Sequence, residues 1–419
     1  MRSAFVAIGI VMLSAASAGA QEPLPRSLTL QQAVERVRST GFDVRMAKAD
    51  ARVASADAAS AGAALRPQIG ISGNVLDANE PQLGMPIARQ AYGAATLSIP
   101  LFTPSNRLNA RAANQIAGAA QSAVFATTSD AVFSTVQAYR KVQLADAVVV
   151  ARQAAVADQV THLRLTEERV AAGKVARYVT LRDRASLASA QQALEDAASE
   201  RDQAAYGLEA LLDLPQDPIV VEPLVQATLN ETREAALARA LQQYPSLLAA
   251  EQRLAAAQIG ISAARSAYRP STVLTAQTYN GASSPALGQS GGQVQLTASL
   301  PIVDGGSRAA ALAKAQAETD RATAVRDQVR ASVLRDVASA WREYEAATRN
   351  LATATAVQAD AQEQLRLVTL RQGAGKAIEV EVLDALSVAA NARETVVRSI
   401  ARYDIAIAAV HHATGDVTP

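Results

Sequence analysis

Two related halves make up the sequence, and this internal repeat limits its possible folds more than any other feature. Three pairs of short segments recur in the same order, 201 to 203 residues apart. The pairs are Arg66-Pro67 with Arg269-Pro270, Ser98-Ile99-Pro100 with Ser299-Leu300-Pro301, and Gly173-Lys174 with Gly375-Lys376. Because one unit occurs twice, each element predicted in one half is expected again in the other.

A proline-rich segment separates the two repeats. It begins at Leu214-Pro215-Gln216-Asp217-Pro218 and continues to Pro223, and a helix would not run through it. The predicted organisation is a first repeat over residues 21–214, a linker over 215–229 and a second repeat over 230–419.

Each repeat is predicted to contain two strands. Residues 293–300 alternate strictly between polar and apolar side chains, with Val294 and Leu296 among the apolar ones. A two-residue period is typical of a strand with one apolar and one polar face. The same reasoning in both repeats predicts strands at about 67–76, 92–101, 271–280 and 292–301.

Most of the remaining sequence is predicted to form long helices. From Val337 onward, a heptad seam is sustained over five heptads, and alanine fills most of its second positions, at Ala340, Ala347, Ala354 and Ala361. Helices over about 106–171 and 307–372 would each be about 100 Å long. The predicted fold class is mainly α with a small β part, in which coiled-coil helical hairpins turn at about 172–177 and 373–378.

The N-terminus has the pattern of an export signal. Arg2 precedes an apolar run, and the small residues Ala18-Gly19-Ala20 form a cleavage pattern, so residues 1–20 are predicted to be a signal peptide. No later segment has the roughly 18 consecutive apolar residues of a transmembrane helix. The 40 Lys and Arg residues are balanced by 39 Asp and Glu residues, which argues against a nucleic-acid partner.

No pattern in the sequence predicts catalysis. The chain has no cysteine and three histidines, of which His411 and His412 are adjacent and His162 lies in a predicted helix. Adjacent helical residues point in different directions and do not easily share a metal ion. We therefore predict a protein that is not an enzyme, with no cofactor, no metal site and a structural role for His162.

The four strands are predicted to lie in an outer membrane. An open sheet edge leaves unpaired N–H and C=O groups in hydrocarbon, so the strands need a closed barrel. Known spanning barrels begin at about eight strands, so four strands per chain imply closure by at least two subunits. The alternative is a soluble helical rod whose hairpins form a small cap sheet.

A family resemblance supports the membrane prediction. Residues 301–308, Pro-Ile-Val-Asp-Gly-Gly-Ser-Arg, resemble the motif that ends the second strand of each repeat in TolC-like outer-membrane efflux proteins. Pro100-Leu101-Phe102 through Arg107 is a divergent first copy, and the likeness also covers residues 28–33, Arg66-Pro67 and residues 382–385.

The resemblance implies an architecture and partners. Members of that family are homotrimers with a 12-strand outer-membrane barrel and a 12-helix periplasmic tunnel, which docks to an inner-membrane pump through a periplasmic adaptor, or membrane fusion protein. The implied function is a passive exit duct of a tripartite efflux system. The alternatives are the outer-membrane component of type I protein secretion and, from another class, a soluble periplasmic helical adaptor or scaffold.

The resemblance also implies functional residues at the turns. Glu381 and Asp384 match carboxylates at the pore constriction, and Arg177 and Arg371 are candidates to pair with them in a gate. The closing latch of the family is not matched, because its positions hold Gln372, Ala377 and Val179 here. The residues expected to contact the adaptor are Gly173, Lys174, Val175, Gly375, Lys376 and Ala377.

Overall fold

The computed structural model describes residues 27–77, 89–214, 220–282 and 291–416. The predicted signal peptide and residues 215–219 of the predicted linker lie outside these ranges. In the first repeat the elements are β1 (Ser27–Leu28), α1 (Leu30–Thr40), α2 (Phe42–Ala63), β2 (Gln68–Asp77), β3 (Arg89–Phe102), α3 (Pro104–Ala171) and α4 (Arg177–Leu212).

The second repeat has the same elements in the same order. They are β4 (Val220–Val221), α5 (Arg233–Gln243), α6 (Pro245–Ser266), β5 (Ser271–Ala282), β6 (Gly291–Ser299), α7 (Ser307–Gly373) and α8 (Glu379–Ala413). The structure is therefore mainly helical, with a small sheet and a duplicated unit, which confirms the predicted fold class at this level.

Helix α3 is the longest element and contacts helices of both repeats. Its 68 residues make it about 100 Å long. Close to the sheet it packs against α2 and α6, and further away it packs against α4 and α8. Helix α7 packs in the same way against α6 and α8. The result is two antiparallel helical hairpins, α3–α4 and α7–α8, side by side.

The alanine seam lies inside this helical packing. Val337 and the four predicted seam alanines, Ala340, Ala347, Ala354 and Ala361, are all buried. An alanine side chain keeps the distance between two helix axes short because it adds only a methyl group. These contacts between helices therefore use apolar alanine side chains rather than large aromatic ones.

A row of polar side-chain contacts, two of them ion pairs, joins α3 to α8 along their contact. His412 contacts Asp130 at one end, and Arg393 Nη1 lies 2.6 Å from Asp158 Oδ2 further along. Arg152 pairs with Glu394 between them. These pairs fix the first hairpin against the last helix.

Tyr139 lies in a hydrophobic cluster about halfway along α3. Its side chain is fully buried among Val34, Val136 and Leu208. Its hydroxyl donates to Leu28 O at 2.8 Å and accepts from Glu222 N at 3.1 Å. Because these two partners belong to or border β1 and β4, Tyr139 joins the short parallel strand pair to α3.

The motif at residues 301–308 leads into the N-terminus of α7 and caps it. Asp304 Oδ2 accepts hydrogen bonds from the backbone N–H of Arg308 at 2.9 Å and from its Nε at 2.6 Å. These bonds hold the pKa of Asp304 below its usual value. Gly305 and Gly306 both have positive φ, which explains the two glycines of the motif.

The four long strands form one antiparallel sheet in the order β2-β3-β5-β6. The two hairpins are joined by pairing of β3 with β5, so β2 and β6 are the sheet edges. The predicted strand at 92–101 lies within β3, which begins three residues earlier, at Arg89. β6 ends at Ser299, two residues before the end of the predicted strand.

The sheet has one apolar and one polar face. Cross-strand pairing aligns Ile69, Leu97, Ala276 and Val294 in one row. The next residue along β3, Ser98, lies in a polar row with Gln68, Thr275 and Gln295. Ile69 and Val294 are more than 70% exposed in the single chain, so the apolar face has no cover within the chain.

Among the helices in the described ranges, none combines the length and the hydropathy that crossing a membrane requires.

Candidate functional site at the helix turns

The two hairpin turns have the same geometry. After α3, the N–H of Lys174 donates to Arg169 O at 2.9 Å and that of Gly173 to Val170 O at 3.0 Å. After α7, Lys376 donates to Arg371 O at 2.8 Å and Gly375 to Gln372 O at 3.0 Å. Both glycines have positive φ, 68° and 71°, as this type of helix end requires. The repeat is therefore preserved at the turn itself.

The predicted adaptor-contact residues lie at these turns and are accessible. Gly173, Lys174, Gly375 and Lys376 are exposed. Val175 and Ala377 are half-buried, each one residue further along its turn. Contact with an adaptor at these residues stays a prediction.

Three of the predicted gate residues, Arg371, Glu381 and Asp384, lie on the second hairpin near its turn, whereas Arg177 begins α4 of the first hairpin. Arg371 Nη1 is 3.7 Å from Glu381 Oε2 within the same chain. Asp384 and Arg177 are exposed, and within the described residues Arg177 forms no ion pair with either predicted carboxylate. The structure thus brings one predicted pair together, and its role in gating stays a prediction.

A second set of polar residues, not predicted from the sequence, lies between the hairpins beside the turns. We call it the tip cluster; it consists of His162, Asp183, Gln372 and Glu379, with one residue from each of α3, α4, α7 and α8. His162 Nε2 contacts Glu379 Oε1, and it lies 3.7 Å from Asp183 Oδ2. Gln372 Nε2 donates to Glu379 Oε2 at 2.7 Å. The cluster therefore connects all four long helices.

The two carboxyl groups of the tip cluster differ in acidity because their partners differ. Burial raises the pKa of Asp183, and the neighbouring Glu379 carboxylate raises it further. Burial also opposes ionisation of Glu379, but its hydrogen bond to His162, the nearby positive charge of groups that include Arg169 and the interaction with Asp183 together outweigh burial and lower the pKa of Glu379. Glu379 is therefore the more acidic of the two groups and ionises at lower pH than Asp183.

The sequence contained only a partial signal for the tip cluster. Gln372 was identified as a departure from the family latch, and His162 was assigned a structural role. Nothing in the spacing places His162 next to Glu379, because the two residues are 217 positions apart. The helical phase of His162, which faces the packed seam rather than solvent, was the available indication.

Long helical hairpins joined to a sheet with one apolar and one polar face define the class of outer-membrane channel proteins. The chain belongs to the outer membrane efflux protein family, whose model matches residues 33–213 and 236–416. As a member of this family the chain is a channel protein and not an enzyme. Channels of the family are trimeric and act in general with adaptors and inner-membrane pumps.

One relative in sequence and two solved structures illustrate what this chain is similar to. Protein CyaE of Bordetella pertussis is 29% identical over 339 residues, which cover 77% of this chain and 68% of CyaE. The structure is similar to that of VceC, an outer membrane protein of Vibrio cholerae, with a TM-score of 0.79, 22% identity, and 92% and 96% of the two chains covered.

The MtrE outer membrane channel of Neisseria gonorrhoeae, solved in its open state, gives a TM-score of 0.79 at 21% identity, with 92% of this chain and 88% of MtrE covered. Likeness at this level of identity establishes the fold.

Proposed function

We propose that three copies of this chain form an outer-membrane exit duct of a tripartite efflux system. The observation that supports this most strongly is the four-stranded sheet, which has an uncovered apolar face, a polar face and two unpaired edges, β2 and β6. Three such sheets joined edge to edge would give a 12-strand barrel whose apolar face meets lipid and whose polar face lines the lumen.

The helical hairpins would continue this barrel as a periplasmic tunnel. The long helices α3 and α7 run beside α2 and α6 near the sheet and beside α4 and α8 near the turns, so each level of the wall has four helices per chain and twelve in a trimer. Each tunnel wall would then extend about 100 Å from the sheet to the turns. The sequence contains no P-loop motif for nucleotide binding, so we assign substrate movement to an inner-membrane pump reached through an adaptor at the exposed turns.

The pore constriction would lie at Glu381 and Asp384, in the first two turns of α8. In a trimer these residues would form two rings of three carboxylates and favour cations. We expect the purified protein to form cation-selective channels in planar bilayers. The combined E381Q and D384N substitutions should lower the cation-to-anion permeability ratio several-fold, because six negative charges per trimer are removed. Selectivity unchanged in that double variant would contradict the assignment of the constriction.

Loss of the Arg371–Glu381 pair should widen the closed channel. This pair crosses the turn between α7 and α8, so its removal frees the start of α8. We expect R371A to raise single-channel conductance or open probability two-fold or more. Arg177, the other predicted gate arginine, makes no ion pair with Glu381 or Asp384 within the described residues, so R177A is expected to leave conductance unchanged. Equal conductance in wild type, R371A and R177A would exclude a gating role for both arginines.

The alternative function is type I protein secretion, which uses the same fold. Which of the two functions the channel performs depends on the inner-membrane pump that it joins. The experiment is a gene deletion in the native host, followed by measurement of small-molecule accumulation and of proteins in the medium. The efflux proposal predicts increased accumulation of at least one toxic compound with an unchanged set of secreted proteins. Loss of one secreted protein without altered accumulation would favour secretion instead.

A further inference from the structure

The tip cluster contains a buried carboxyl group whose oxygens have no hydrogen-bond partner. Asp183 is 1% exposed, and neither of its side-chain oxygens receives a hydrogen bond. His162 Nε2, at 3.7 Å, is beyond hydrogen-bond distance and is already in contact with Glu379. Because an ionised carboxylate buried without partners is costly, a cation bound between the two acids would stabilise this arrangement.

The three side chains point their ligand atoms at one another. The His162 ring nitrogen, an Asp183 oxygen and a Glu379 oxygen all lie within 4.8 Å of each other. Ligand atoms around a tetrahedral zinc ion are about 3.3 Å apart, given bonds of about 2.0–2.1 Å. Side-chain rotations that move these atoms by about an ångström would suffice to enclose an ion.

The neighbouring Gln372 already orients one of these ligands. Its amide holds Glu379 Oε2, which leaves Oε1 facing His162. Hydrogen bonds from second-layer residues to ligating carboxylates are a regular feature of protein metal sites.

We propose that the tip cluster binds one divalent transition-metal ion per chain, such as zinc, through His162 Nε2 and the carboxylates of Asp183 and Glu379. One imidazole nitrogen and two carboxylates are a donor set of zinc and its first-row neighbours, whereas calcium and magnesium are held by oxygen ligands alone. A fourth position is left for water.

The bound ion would connect the first hairpin to the start of α8. His162 and Asp183 belong to α3 and α4, while Glu379 is the first residue of α8 and lies two positions before Glu381. The ion would therefore hold the turn region together. This effect on opening rests on the proposed channel function, whereas metal binding itself does not.

Metal binding is tested on the purified full-length protein in detergent, stripped with chelator and titrated with Co²⁺ and then with Zn²⁺. We expect visible absorption of four-coordinate Co²⁺, its loss on adding Zn²⁺, and one zinc per chain by elemental analysis. H162Q and D183N should each weaken zinc binding at least ten-fold. H412Q removes a histidine of the similar pair with Asp130, further from the turn along α3, and should bind zinc as wild type does.

E381Q separates this site from the proposed constriction and should also leave zinc binding unchanged. Absence of Co²⁺ absorption in the folded wild-type protein, or less than one zinc per three chains, would overturn the site without need of any variant. Binding abolished by E381Q but retained in H162Q would overturn it as well. Conductance lowered by zinc in wild type and not in H162Q would establish the effect on opening, and no change in conductance with zinc bound would exclude that effect alone.

Discussion

Placing an arginine at Leu97 is expected to abolish assembly of the protein in the outer membrane. Leu97 lies in the apolar row with Ile69, Ala276 and Val294, midway along the sheet. An arginine facing lipid near the bilayer centre costs about 2–4 kcal/mol, and three copies in a trimer would cost roughly 6–12 kcal/mol. We expect L97R to give no heat-modifiable trimer in outer-membrane fractions and no efflux.

Thr96 provides the matched control because it is adjacent in sequence and points to the opposite face. It lies in a polar row with Gln277 and Gln293. If that face lines an aqueous lumen, T96R should assemble to near wild-type levels and change only conductance or ion selectivity. Equal assembly of L97R and T96R, or failure of T96R alone, would contradict the orientation of the sheet.

Truncation of Tyr139 is expected to produce the largest loss of stability in the helical part. The side chain is fully buried, and its replacement by alanine removes the ring from the core, which costs about 3–5 kcal/mol. Y139F keeps the ring but leaves Leu28 O and Glu222 N without their partner, at a cost of about 1–3 kcal/mol. The thermal unfolding midpoint of the purified protein should therefore fall in the order wild type, Y139F, Y139A.

The control for Tyr139 is Tyr206, which is 55% exposed on α4. Y206F should change stability by less than about 0.5 kcal/mol, as expected for a surface substitution. A midpoint for Y139F equal to that of Y206F would show that the Tyr139 hydroxyl does not join the short strand pair to α3.

Local periodicity predicted the four long strands and the two longest helices of this fold, but not the short strands β1 and β4. The heptad seam from Val337 predicted a helix whose seam alanines are buried, because helix contacts recur every 3.5 residues. The alternation around Leu296 likewise predicted a strand with two unlike faces. The pairing of β3 with β5 was not predictable, since Leu97 and Ala276 are joined only by backbone bonds that leave no mark on side-chain pattern.

Only the part of the candidate site that occurs in both repeats could be predicted from the sequence. Gly173 and Gly375 were identified because both repeats need the same left-handed turn residue. Asp183 and Glu379 were not identified as partners of His162, because the contact between them depends on how the two hairpins pack. Each of the three residues, taken alone in its helix, has the sequence context of an ordinary polar position.

The measurement that tests the central claim most directly is cysteine cross-linking of the two sheet edges. The chain has no cysteine of its own, so every cross-link reports the introduced pair. Ile69→Cys on β2 would be combined in turn with Val294→Cys and Leu296→Cys on β6, to cover different registers between neighbouring copies. As the control, a variant with a single cysteine can form at most a cross-linked pair of chains. We predict that oxidised outer membranes of one double variant show bands of one, two and three chains and no larger product. A series that continues beyond three chains, or no product between chains in any combination, would contradict a trimeric barrel closed by these edges.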